Sequence, residues 1–60
     1  MDKNKVLIDL LIKTGRKAKD PLLVVTFMGV GWLLIRDGIH PIEFKSWIAS
    51  CYAKGFCREL

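Results

Sequence analysis

From Pro21 to Ile35 the chain runs through fifteen residues, PLLVVTFMGVGWLLI, without a charge and with a single hydroxyl, Thr26. Charged residues recur at short intervals on both sides. On a helical wheel this run has no polar stripe, and a helix that is apolar all round belongs inside a large protein or inside a bilayer. Sixty residues cannot build the large protein, because a chain of that size buries only about 60% of the surface its unfolded form exposes. With 52% hydrophobic residues and a mean hydropathy of +0.28, the chain carries more apolar surface than one small core hides. Lipid, a partner or further copies must cover the excess.

The run is bounded on both sides. Asp20-Pro21 is a helix start, since Asp accepts a hydrogen bond from a free backbone donor and Pro in the first turn gives up a donor that had no partner. Arg36-Asp37-Gly38 is a helix stop, with the cation at the negative end of the dipole and a glycine for the left-handed cap. The sequence thus predicts a helix over 21–36. From Lys19 to Arg36 it reaches roughly 27 Å against a hydrocarbon core of about 30 Å. Snorkelling of Lys19 and Arg36 and the interfacial position of Trp32 make this a short membrane span. Two other readings compete with it. In one, several copies share the helix as a common core. In the other, Leu22–Phe27 and Trp32–Ile35 are strands joined at Met28-Gly29-Val30-Gly31, giving an α–β-hairpin–α domain.

Residues 3–18 read as an amphipathic helix, with Lys5, Asp9, Lys13 and Arg16 on one stripe and Val6, Leu7, Ile8, Leu10, Leu11 and Ile12 on the remaining arc. Gly15 is a weak point near its end. After Gly38, His40-Pro41 opens a third helix over 41–54, with Glu43 in its first turn. Phe44, Trp47, Ile48, Cys51 and Tyr52 form its bulky face; Ser46, Ala49, Ser50 and Ala53 form a small one. Gly55 ends this helix, and a Schellman cap there folds Phe56 back toward Cys51 and Tyr52. The expected architecture is all-α: one small domain, 1–60, of three short helices with a wholly apolar, membrane-spanning centre.

Catalytic and metal chemistry find little purchase. His40 is the only histidine and has no nucleophile beside it, so its expected role is in a loop or cap. No paired C-x-x-C is present, and a metal site from His40, Glu43, Cys51 and Cys57 would draw ligands from different helix faces. We therefore expect no enzyme activity, no cofactor and no metal. Cys51 and Cys57 are too far apart for a disulfide in a continuous helix, but an end at Gly55 brings that bond within reach. Bonded or free then depends on the redox compartment.

Six of the ten basic residues precede Pro21. Lys13, Arg16, Lys17 and Lys19, with Arg36 beyond the run, are the expected anchors to anionic headgroups. The same bias places the N-terminus in the cytoplasm if the run crosses a membrane, and the protein itself in the membrane; the oligomer reading places it in the cytoplasm. The run begins too late and lacks the cleavage site of a signal peptide, so it reads as retained. On the central helix, Leu22, Thr26, Gly29, Leu33 and Arg36 share one face, and small residues there let a second helix approach closely. Leu22, Thr26, Gly29, Trp32 and Leu33 are the expected packing contacts. The layout is similar to that of small membrane-active polypeptides, including phage lysis proteins and membrane toxins, a likeness from which no residue role transfers.

The function expected is that of a small, membrane-associated, non-enzymatic polypeptide whose central helix packs against a larger membrane protein or its own copies. The alternative is a soluble helical homo-oligomer that regulates or inhibits another protein. A basic nucleic-acid-binding dimer is the weakest reading, because no recognition motif is present and the cations alternate with leucines rather than with stacking aromatics.

Overall fold

The caps and breakers of the sequence decide where the helices lie. In the computed structural model, which describes residues 3–58, α1 runs Lys3–Gly15, α2 Pro21–Arg36 and α3 Pro41–Ala53, with no strand among the described residues. The Asp20 carboxylate accepts from the Leu23 amide at 2.8 Å, and Pro21 follows in the first turn. His40 caps α3 in the same way, its ring Nδ1 accepting from the Ile42 amide at 3.2 Å ahead of Pro41. Both α2 and α3 end in Schellman caps on left-handed glycines, Gly38 at φ 83° and Gly55 at φ 80°. Ile39 donates to the Leu34 carbonyl at 3.0 Å in the first cap, and Phe56 to the Cys51 carbonyl at 3.1 Å in the second.

α1 and α2 form an antiparallel hairpin whose closeness depends on two glycines. A Cβ at position 15 would lie 2.6 Å from the Met28 sulfur. One at position 31 would overlap Leu11 Cδ1 and lie 3.2 Å from its Cγ. Hydrogen in place of a side chain lets Met28 and Leu11 sink against the facing backbone at these two points. α3 then returns along α1, and the core gathers between the three: Leu7 and Leu11 from α1, Phe27 and Ile35 from α2, Phe44, Ile48 and Cys51 from α3. Phe44 is wholly buried. Trp47 ties α3 to α2 by stacking on Phe27, ring centroids 4.7 Å apart and planes at 11°. The small face of α3, by contrast, lies toward solvent.

The segment after α3 closes the bundle. Lys19 donates to the Phe56 carbonyl at 3.0 Å and Arg58 to the Lys17 carbonyl at 2.7 Å. These two bonds make an isolated antiparallel bridge between Ala18 and Cys57. Cys57 is thereby buried, its Sγ 3.8 Å from the Thr14 carbonyl.

Three expectations change. α1 stops at Gly15 and not at 18, because Lys17 and Lys19 offer their backbone groups to the closing segment; α3 likewise stops at Ala53, one residue short of 54. The α–β-hairpin–α alternative is not adopted: Gly29 and Gly31 both lie within α2, and Gly31 is a close-packing position, not a turn. The bilayer-spanning centre is corrected as well. α2 has 16 residues, about 24 Å at 1.5 Å per residue. Among the described residues no helix is long and apolar enough to cross a membrane.

Candidate docking face on the second helix

α2 is apolar all round, but α1 and α3 cover only one side of it. Phe27, Gly31 and Ile35 are buried, and Leu23, Val24, Met28 and Leu34 are half-buried beside them. At 3.6 residues per turn, Leu22, Val25, Thr26, Gly29, Trp32, Leu33 and Arg36 all lie within about 60° of Gly29 on the opposite side. All seven are exposed. Leu22 keeps 75% of its surface, Val25 69%, Trp32 55% and Leu33 53%. Single exposed apolar residues need no explanation, whereas a contiguous stripe of four large ones does. Gly29 sits at its centre, and a Cβ built there meets nothing within 4 Å. The fold of this chain therefore makes no use of the missing side chain at 29.

All five expected packing contacts, Leu22, Thr26, Gly29, Trp32 and Leu33, fall on this one exposed face. Val25 belongs with them and is missed by a reading of the Leu22–Thr26–Gly29–Leu33 row alone. Its signal was its position three residues after Leu22 and four before Gly29.

The expected anchors divide between the two ends of the molecule. Arg16, Lys17 and Lys19 stand in the α1–α2 connection, and the Ala18–Cys57 bridge brings Arg58 and Lys54 beside them. Lys13 lies about one turn back, lining a shallow groove between α1 and α3 with Lys45 and Asp9. Arg36 is at the far end of α2, about 24 Å from this basic pole. Lys54 and Arg58 could not be assigned to the pole from sequence, because they lie some forty positions from its other members.

Behind the docking face, α2, α3 and the closing segment leave an apolar pocket of about 210 Å³, lined by Leu23, Phe27, Val30, Trp47, Cys51 and Cys57 among others. Both cysteines are free. Burial pushes the Cys51 thiol up, the neighbouring Cys57 adds to this, and Lys54 opposes it. Burial likewise raises Cys57, against Lys17. Neutral thiols are poor nucleophiles and poor metal ligands. His40 is remote from them, eleven positions before Cys51 and about 16 Å along α3, with its Nδ1 engaged in the cap. Among the described residues no group of three or more His, Cys, Asp or Glu converges as a metal site would.

The sequence matches no protein-family model, and no curated protein or solved structure shows significant similarity to it.

Proposed function

We propose that this is a small non-enzymatic protein that acts by packing the outer face of α2 against another helix, belonging to a larger protein or to a further copy of itself. One observation carries the reading: a single contiguous face, Leu22 to Arg36, holds four large apolar side chains in solvent around an open glycine. Burying them would remove about 1.5–3 kcal/mol of exposure cost for each side chain fully covered. A glycine in the middle lets two backbones come close, which strengthens dispersion across the seam.

The test is a photo-crosslinking residue placed at position 33 on the docking face, compared with one at Ala49 on the solvent face of α3, in cells that express the protein. Adducts should form from 33 and not from 49, and Val25→Lys should abolish them while leaving the circular dichroism spectrum intact. Equal labelling from both positions would overturn the reading.

A second reading rests on a different observation, the basic pole of Arg16, Lys17, Lys19, Lys54 and Arg58 at one end of the stripe. It has α2 lying in the interface of an anionic membrane, with the pole on headgroup phosphates. Flotation with anionic vesicles that weakens as salt rises would support it; no flotation at low salt would dismiss it.

A further inference from the structure

Open apolar space inside so small a chain has a cost, because interiors close-pack and side chains facing a void give up dispersion contacts. Yet the pocket between α2, α3 and the closing segment amounts to about 210 Å³. That is more than the ~150 Å³ of a cavity that stays dry and takes up benzene, and less than the ~300 Å³ at which pockets for drug-sized ligands begin. Its floor is buried, with Phe27, Cys51 and Cys57 keeping 6%, 6% and 3% of their surface. Its rim is open, with Val30 at 41% and Phe56 at 40%. Trp47, stacked on Phe27, makes one wall. The floor therefore offers apolar contact and neutral sulfur to whatever enters, and few polar partners to water.

Charge gathers where the closing segment borders this space. Lys19 donates its amide to the carbonyl of Phe56 at 3.0 Å, and its ammonium lies 3.8 Å from where a Cβ on Gly55 would stand. Lys54 precedes that glycine, and its charge is felt at the Cys51 thiol, as the charge of Lys17 is felt at Cys57. Against these three cations stands Asp20, whose carboxylate is held at the start of α2 by the Leu23 amide. The balance at this end is positive. A body that fills the pocket is thus desolvated along its length and meets cations where it emerges.

We infer that this pocket binds a small apolar carboxylate of the size of a medium-chain fatty acid, its tail against Phe27, Trp47 and Cys51 and its head on Lys19 and Lys54. At about 30 Å³ for a group the size of a water molecule, 210 Å³ has room for about seven carbons, the number behind the carboxylate in octanoate. The head stays in water beside exposed lysines, so the tail supplies most of the affinity and the cations choose the sign of the head. The site stands apart from Leu22, Val25, Trp32 and Leu33 on the outer face of α2 and does not depend on what covers them.

The test uses the full chain carrying Trp32→Phe, which leaves Trp47 as the sole tryptophan, reporting from the pocket wall. Octanoate below its micellar concentration should shift the Trp47 fluorescence saturably, with a dissociation constant on the order of 0.1–1 mM, and should slow alkylation of Cys51. Affinity should rise about fourfold per methylene from hexanoate to octanoate and then level off. Octanol should bind about threefold more weakly or worse, and octylammonium more weakly still; Lys19→Glu combined with Lys54→Glu should erase the preference for the carboxylate. Val30→Phe at the rim should weaken octanoate about tenfold or more with the circular dichroism unchanged, whereas Val25→Lys on the outer face should leave it alone. Equal affinity for octanol and octanoate would overturn the carboxylate assignment. No saturable signal, or loss of binding with Val25→Lys in place of Val30→Phe, would overturn the pocket as the site.

Discussion

Gly29 and Gly31 stand two residues apart in one helix and do opposite things. The first faces solvent and the second faces Leu11. Gly29→Ala should stabilise the monomer by about 0.5–1 kcal/mol through helix propensity alone. Gly31→Ala should destabilise it by about 1–2 kcal/mol, because overpacking against the buried Leu11 outweighs the same propensity gain. Urea denaturation of dilute protein checks both, and equal effects would mean that the α1–α2 contact is looser than described. The two thiols make a second prediction. Because burial raises both, the folded state favours the neutral form, and the stability this contributes is complete below the unfolded thiol value of about 8.5. It is lost as pH rises above that value and through the raised folded values. Replacing both cysteines by Ala should flatten that part of the alkaline decline, measured as the difference between the two proteins' denaturation midpoints across the range. The sequence places Gly29 on the Leu22–Thr26–Leu33 row, but that Gly31 is the glycine on which α1 closes depends on the docking of α1 and is not legible from it.

The elements themselves were largely legible. Asp20-Pro21, His40-Pro41, Gly38 and Gly55 are local signals whose physics needs no tertiary partner, and α2 has the bounds they announced. α1 was the exception, because its last turn competes with hydrogen bonds to residues 56 and 58 that lie about forty positions away. The helical wheel of α2 could not reveal an exposed face either: with apolar residues on every side, which side faces out depends on where α1 and α3 pack. At this scale the caps can be tested. Asp20→Ala should cost about 1 kcal/mol, while Asp20→Asn, which keeps the acceptor, should cost only a few tenths. Gly55→Ala forces a Cβ into the left-handed region and should cost about 1–2 kcal/mol. It should also misdirect the closing segment, which leaves the helix through that residue.

For the molecule as a whole, an extent of 30 × 18 × 17 Å leaves little interior, and the Phe27–Trp47 stack joins α2 to α3 beside a half-open apolar pocket. The closing segment compensates by filling the end of the gap with Phe56 and Cys57. Ending the chain after Gly55 should therefore open the apolar pocket to solvent. Alkylation of Cys51 should accelerate by at least about tenfold, and the amides of α3 should exchange sooner than those of the α1–α2 hairpin. Uniform acceleration through all three helices would show instead that the chain opens only as one unit.

The bridge between Ala18 and Cys57 also orders events in time. In a refolding chain the α1–α2 hairpin is closed by a short connection, whereas the clasp joins positions 18 and 57; short loops close at lower entropic cost, so the glycine-sealed hairpin forms ahead of the clasp. Until α3 and residues 56–58 are in place, the side of α2 that they cover, with Phe27 and Val30, is open to solvent together with Leu22, Val25, Trp32 and Leu33 on the outer side. The last contacts to form are therefore the ones that separate the inner apolar surface of α2 from the outer one.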